Sequence, residues 1–138
     1  MLMSFKIDIV GKVQQCVNSV NAQLPGRATA AGNAMRNATL EVFRGQRSGR
    51  VYKKPTGGSY TASAPGEVPA VRTGSLRDDW RPVEYNGNPA IETNVPYTDY
   101  MENGTPGGKI KPRPFADKIV EKAKPEVLAI YGQPYNLP

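Results

Sequence analysis

A chain of 138 residues is long enough for one domain and one modest core, and the sequence reads as a single domain over 1–138. With 38% hydrophobic residues, a mean hydropathy of -0.52, 14 Gly and 13 Pro, a small core with long loops is expected. Only one cysteine, Cys16, and no histidine are present, which excludes an internal disulfide, a Cys/His zinc site and every catalytic arrangement that needs histidine. The net charge of +6 favours acidic partners: nucleic acid, an acidic protein surface or a membrane face. No stretch approaches the roughly 18 to 20 apolar residues of a membrane span, and Lys6 and Asp8 interrupt the first segment too early for a secretory signal. A soluble, unprocessed chain with no membrane partner is therefore expected.

From Ile9 to Leu24 the apolar residues Val10, Val13, Cys16, Val17, Val20 and Leu24 recur at spacings of three and four, one face of a helix. Pro25-Gly26 breaks this pattern, and an Ala-rich helix is predicted from about Arg27 to Phe43, with Ala31, Met35, Ala38, Leu40 and Val42 turned inward. The two form a bent pair or one kinked rod. From Arg44 to Val71, Gly, Ser, Pro and basic residues replace the helical period, so a flexible basic loop is expected at about 44–71. Within it, Val51 to Lys53 and Ser59 to Ala62 read as short strands joined through Pro55 to Gly58. A second hairpin is predicted from Trp80 to Tyr85 and Ala90 to Val95 around Asn86-Gly87-Asn88, because Asn-Gly is the preferred two-residue turn.

Tyr97 to Asn103 reads as a short helix stopped by Gly104. Pro112 and Pro114 then hold the approach to Phe115 extended. A last helix runs from Ala116 to Tyr131, with an apolar stripe of Ile119, Val120, Ala123, Val127, Leu128 and Ile130; Pro125 either kinks it or opens a new helix. Residues 132–138 form a short extended tail. The fold class expected is α+β: two N-terminal helices, a small antiparallel sheet of three or four strands, and a C-terminal helix packed on the sheet.

Catalytic chemistry finds little to work with. Cys16 lies on the apolar face of a predicted helix and reads as a buried structural thiol. Asp78-Asp79 and Asp99 with Glu102 are the carboxylate groupings that invite a metal or acid/base reading, but adjacent strand residues face opposite ways, and an ion-pairing role suits Asp99 and Glu102 better. Neither glycine cluster ends in the Gly-Lys-Ser/Thr of a phosphate-binding loop. The chain reads as a non-enzyme with no catalytic residue, metal, cofactor or small-molecule substrate. The cluster Arg44, Arg47, Arg50, Lys53 and Lys54, with Tyr52 and Tyr60 nearby, has the mixed basic and aromatic composition of a single-strand nucleic-acid binder, or of a patch that meets an acidic protein.

Four motifs occur in a fixed order: Ala-Pro-Gly-Glu-Val-Pro-Ala at Ala64 to Ala70, Thr-Gly-Ser-Leu-Arg at Thr73 to Arg77, Tyr-x-x-Tyr-x-Glu-x-Gly-Thr at Tyr97 to Thr105, and Arg-Pro-Phe at Arg113 to Phe115. Together with the helical start and end, this order resembles the Hong Kong 97-type tail-component family of tailed bacteriophages, neck proteins of the head–tail junction. The chain departs from the pattern at Asp78 and Asp79, where small polar residues are common, and at Gly107-Gly108, which lengthen the link to Arg-Pro-Phe. The resemblance implies a structural virion protein that completes the tail, forms a ring-like homo-oligomer, and contacts head-closure or connector proteins and tail terminator or tail tube proteins. It implies location in the virion, and in host cytoplasm during assembly. The interface candidates it supplies are Thr73, Gly74, Leu76, Arg77, Tyr97, Tyr100, Glu102, Gly104, Thr105, Arg113, Pro114 and Phe115. The alternatives are a tail terminator and a small basic DNA-binding module, with non-specific proximity to DNA.

Overall fold

A computed structural model of the protein describes residues 9–45, 47–70 and 75–138. Its elements are α1 (Ile9–Val42), β1 (Val51–Lys53), β2 (Ser59–Thr61), α2 (Ser75–Asp78), β3 (Arg81–Tyr85), β4 (Asn88–Glu92), α3 (Thr98–Asn103) and α4 (Ala116–Gly132). The class is α+β, and the arrangement differs from the expected one in three respects.

The first is at the N-terminal end, where one helix replaces two. The 34 residues of α1 run through Pro25, a rod about 50 Å long at 1.5 Å per residue. Proline withdraws one intrahelical donor, but the carbonyl that loses its partner belongs to Asn21, which is exposed to water. The Thr29 hydroxyl also donates to the Pro25 carbonyl at 3.1 Å. Burial is confined to the second half of the rod, at Ala28, Ala31, Gly32, Ala34, Ala38 and Thr39. The apolar face predicted for Ile9 to Leu24 is not in the core: Val10, Val13 and Val17 are 81%, 56% and 44% exposed, and Cys16 is half-buried rather than buried.

The second difference is that the four strands make two separate hairpins instead of one sheet. In one, Val51 pairs with Thr61, Tyr52 with Tyr60 and Lys53 with Ser59. In the other, Arg81 pairs with Glu92 and Tyr85 with Asn88, so the turn is Asn86-Gly87 alone, both at positive φ. The β3–β4 hairpin lies on α1. Gly32 permits that approach, since a Cβ there would sit 2.9 Å from the Pro82 Cβ, and the Arg36 guanidinium donates to the Trp80 carbonyl. Val68 and Leu76, which fall between the hairpins in sequence, insert into the core.

Third, α4 packs along α1 and not on a sheet. The Ala-rich face of α1 lets a helix backbone come close, whereas each two-stranded hairpin offers too narrow a face to cover a 17-residue helix. Ile119 and Ala123 are buried, while Val120 and Leu128 of the predicted stripe are exposed. Pro125 lies inside a continuous helix. Arg27 secures the far end: its guanidinium donates to the carbonyls of Ile130, Tyr131, Gln133 and Pro134, and stacks 3.6 Å over the Tyr135 ring. The core centres on Phe115, whose ring meets Phe43 at 5.4 Å and Trp80 at 6.0 Å, with Ala38, Val68, Leu76, Ile119 and Ala123 around it.

Candidate functional site

The motif residues between Tyr97 and Phe115 fold into one tight junction. Helix α3 ends at Gly104, whose N–H donates to the Tyr100 carbonyl. At φ 77° this position suits glycine, and a Cβ would meet the Ile110 carbonyl at 2.8 Å and the Pro112 Cδ at 2.9 Å. Thr105 closes the following loop onto Ile110: each residue's N–H is bonded to the other, one to the Ile110 carbonyl and one to the Thr105 hydroxyl. The Glu102 carboxylate accepts from the N–H groups of Phe115 and Ala116, satisfying two orphan donors where α4 begins and placing negative charge at that helix terminus.

Arg113 ties this junction to the chain after β2. Its guanidinium donates twice to the Ser63 carbonyl at 3.2 Å and once to Lys111, and its N–H donates to the Met101 carbonyl. Pro114 is half-buried, and Phe115, 2% exposed, belongs to the core. Leu76 is buried in the same core, and Arg77 pairs with Asp78 at 2.7 Å. Thr73 and Gly74 lie outside the described residues. Of the interface candidates, Tyr97 and Tyr100 present the large exposed aromatic surface, at 40% and 48%.

The basic cluster divides into two sets. Arg44 pairs with Glu41, and Arg47 is spent internally, donating to carbonyls that include Val68, Pro69 and Phe43. Arg50 and Lys53 are exposed and Lys54 is half-buried, Arg50 lying 5.2 Å over the Tyr52 ring, which is itself stacked on Tyr60 at 5.5 Å. These tyrosines line an open cleft of about 540 Å³ whose other wall is Lys109, Ile110, Lys111 and Arg113. Lys109 and Lys111 belong to none of the four motifs, and their alternation before Pro112 is the local signal that marks them. Arg27 carries no such signal, because nothing local marks a side chain that caps a helix 103 residues away.

The carboxylates of Asp79, Asp78, Glu67 and Asp99 each bond separate partners. Asp79 accepts from the Asn94 N–H and the Thr93 hydroxyl, which hold it below the usual carboxylate range. Asp78 is lowered by its bond to Arg77. Glu67 accepts from the N–H groups of Ala64 and Ser48 and from the Ser48 hydroxyl, and is lowered chiefly by those backbone bonds. Asp99 accepts from the Asn103 amide. Among the described residues no group of three or more Cys, Asp or Glu side chains could hold a metal ion, and no helix is long and apolar enough to cross a membrane.

A second concavity, about 550 Å³ and almost wholly apolar, runs along the first half of α1, with Ile9, Val13, Cys16, Val17 and Val20 on the helix and Leu137 from the tail. The tail is held there by the Ser19 hydroxyl and the Gln23 amide, both bonded to Asn136. No protein-family model matches this chain, and no match is found among curated proteins or solved structures.

Proposed function

We propose that this protein is a structural component of a tailed-phage neck, assembling as an oligomer at the head–tail junction between head-closure or connector proteins and the tail terminator or tail tube. The observation that carries the assembly half of this reading is the exposed seam on α1. The exposed Val10, Val13 and Val17, continued by the half-buried Val20 and Leu24, fall at spacings of three and four, the pattern by which one helix packs on another. Only Lys12 is charged between Ile9 and Leu24, so two copies of a chain with net charge +6 can meet there with little repulsion.

Covering a half-exposed valine contributes about 1 kcal/mol, so three from each of two copies supply roughly 6 kcal/mol. Association costs about 4–15 kcal/mol, so the seam alone supports only weak pairing. A ring requires two complementary surfaces on each subunit, and Tyr97 and Tyr100 are suited to the second. The neck assignment rests on the order of the four motifs. The hydrogen bonding within the Tyr97–Phe115 junction supports a scaffold role for that motif rather than a chemical one.

Replacing Val13 and Val17 together by Glu should convert an oligomer into a monomer in sedimentation velocity while the circular dichroism spectrum stays unchanged, because both sites are solvent-facing and Glu is a good helix former. A native protein that stays monomeric at 100 μM would contradict assembly through this surface. Immunogold labelling of particles made from the encoding genome should decorate the head–tail junction; label absent from purified particles would remove the neck assignment.

A further inference from the structure

We infer that the cleft between the β1–β2 hairpin and the 109–113 loop binds a nucleic-acid strand, its phosphates on the basic walls and its bases against the stacked tyrosines, a reading independent of the neck assignment. Strand alternation sets the first wall. Tyr52 and Tyr60 are direct cross-strand partners and so share a face. The ladder continues beyond the strands, with the Lys54 N–H on the Gly58 carbonyl and the Ala62 N–H on the Arg50 carbonyl, so Arg50 and Lys54 flank Tyr52 on that same face. Lys109 and Lys111 form the opposite wall.

These four cations are unneutralised. Among the described residues the ion pairs are Arg44–Glu41, Arg77–Asp78 and Arg81–Glu92, and no acidic side chain lines the cleft. Glu67, on the adjoining segment, is turned onto Ser48 and Ala64. Arg113 is committed to the Ser63 and Lys111 carbonyls, which fixes the lysine loop against the chain leaving the hairpin. Two lysines lining one wall of an open cleft, opposite an aromatic pair that Arg50 and Lys54 flank along the strand, match a phosphodiester backbone with exposed bases. An acidic peptide would use the lysines but has no need of the tyrosines.

The test is fluorescence anisotropy with a labelled 20-nucleotide oligothymidylate, a 20-base-pair duplex, and polyglutamate as competitor. Four phosphate contacts give a log–log salt slope of about -3 for a single strand, roughly a fifty-fold loss of affinity between 50 and 200 mM salt. Lys109→Gln with Lys111→Gln should halve that slope. Lys122→Gln with Lys124→Gln, which removes the same charge from the exposed face of α4, should leave it unchanged. Tyr52→Ala should weaken single-strand binding about tenfold at constant slope, Tyr52→Phe should retain it, and the duplex should bind more weakly than the single strand. Equal losses from the two lysine pairs would reduce the effect to net charge and overturn the proposal. So would absence of binding at 50 mM salt, duplex binding as tight as single-strand binding, or displacement by polyglutamate with Tyr52→Ala silent, which would assign the cleft to an acidic protein.

Discussion

Arg27 offers the sharpest test of how α1 and α4 are held together. Its guanidinium makes contacts of 2.9, 3.1 and 2.6 Å from one nitrogen to Ile130, Tyr131 and Gln133, and one of 2.9 Å from the other to Pro134. One nitrogen carries two hydrogens, so three contacts on it amount to two bonds, and the side chain counts as about three charge-assisted bonds. Each would be worth about 1.5–3 kcal/mol in isolation, but the site is half exposed and the bonds share one side chain. A cation at a helix C-terminus contributes up to about 2 kcal/mol, and stacking on Tyr135 adds about 0.5–1 kcal/mol. Arg27→Met should therefore destabilise by about 2–3 kcal/mol, lowering Tm by roughly 7–10 °C for a domain of this size. Arg27→Lys keeps the charge and loses the fork, so it should cost about half as much. Urea unfolding followed by circular dichroism measures both. If Arg27→Lys matched the native protein, or Arg27→Met cost under about 0.5 kcal/mol, the fork would not be what secures the end of α4.

Phe115→Ala should cost about 3–5 kcal/mol, a large share of a small domain's stability, since it empties the centre of the core against Phe43 and Trp80. Any loss of assembly should coincide with unfolding; a variant that stays fully folded yet fails to assemble would show that Phe115 acts at a subunit contact. For Glu67, the folded carboxyl titrates below its ordinary value of 4.5, so its contribution is present above that value and disappears as pH falls through the lowered one. Unfolding midpoints of native protein and Glu67→Gln should thus converge as the pH is lowered below 4.5, and a gap that stays constant on acidification would refute the assignment.

Local signals located nearly every element. Asn86-Gly87 marked its hairpin because an Asn-Gly pair takes positive φ at low cost, and Gly104 marked the end of α3 for a similar reason. The short hairpin of Tyr52 and Tyr60 was legible from its turn residues. The break at Pro25 was misleading because proline's cost depends on whether the carbonyl it strands can reach water. That is a property of the folded surface and not of the local sequence.

Periodicity located the apolar face of α1 and the stripe of α4, but it carries no information on how far the core extends. A helix about 50 Å long outruns a core built around Phe43 and Phe115, so the same 3.6-residue pattern is buried at Ala31 and Ala38 and exposed at Val10 and Val13. Composition identified the basic and aromatic residues, yet only the tertiary structure brought Lys109 and Lys111 opposite Tyr52 and Tyr60, and turned Arg47 and Arg113 inward. Helices, turns and the absence of histidine chemistry follow from the chain alone, because they depend on neighbours a few residues apart. Which hydrophobic face is covered, and which cations stay free, was decided by contacts between residues about 20 to 100 positions apart, whose geometry no local pattern encodes.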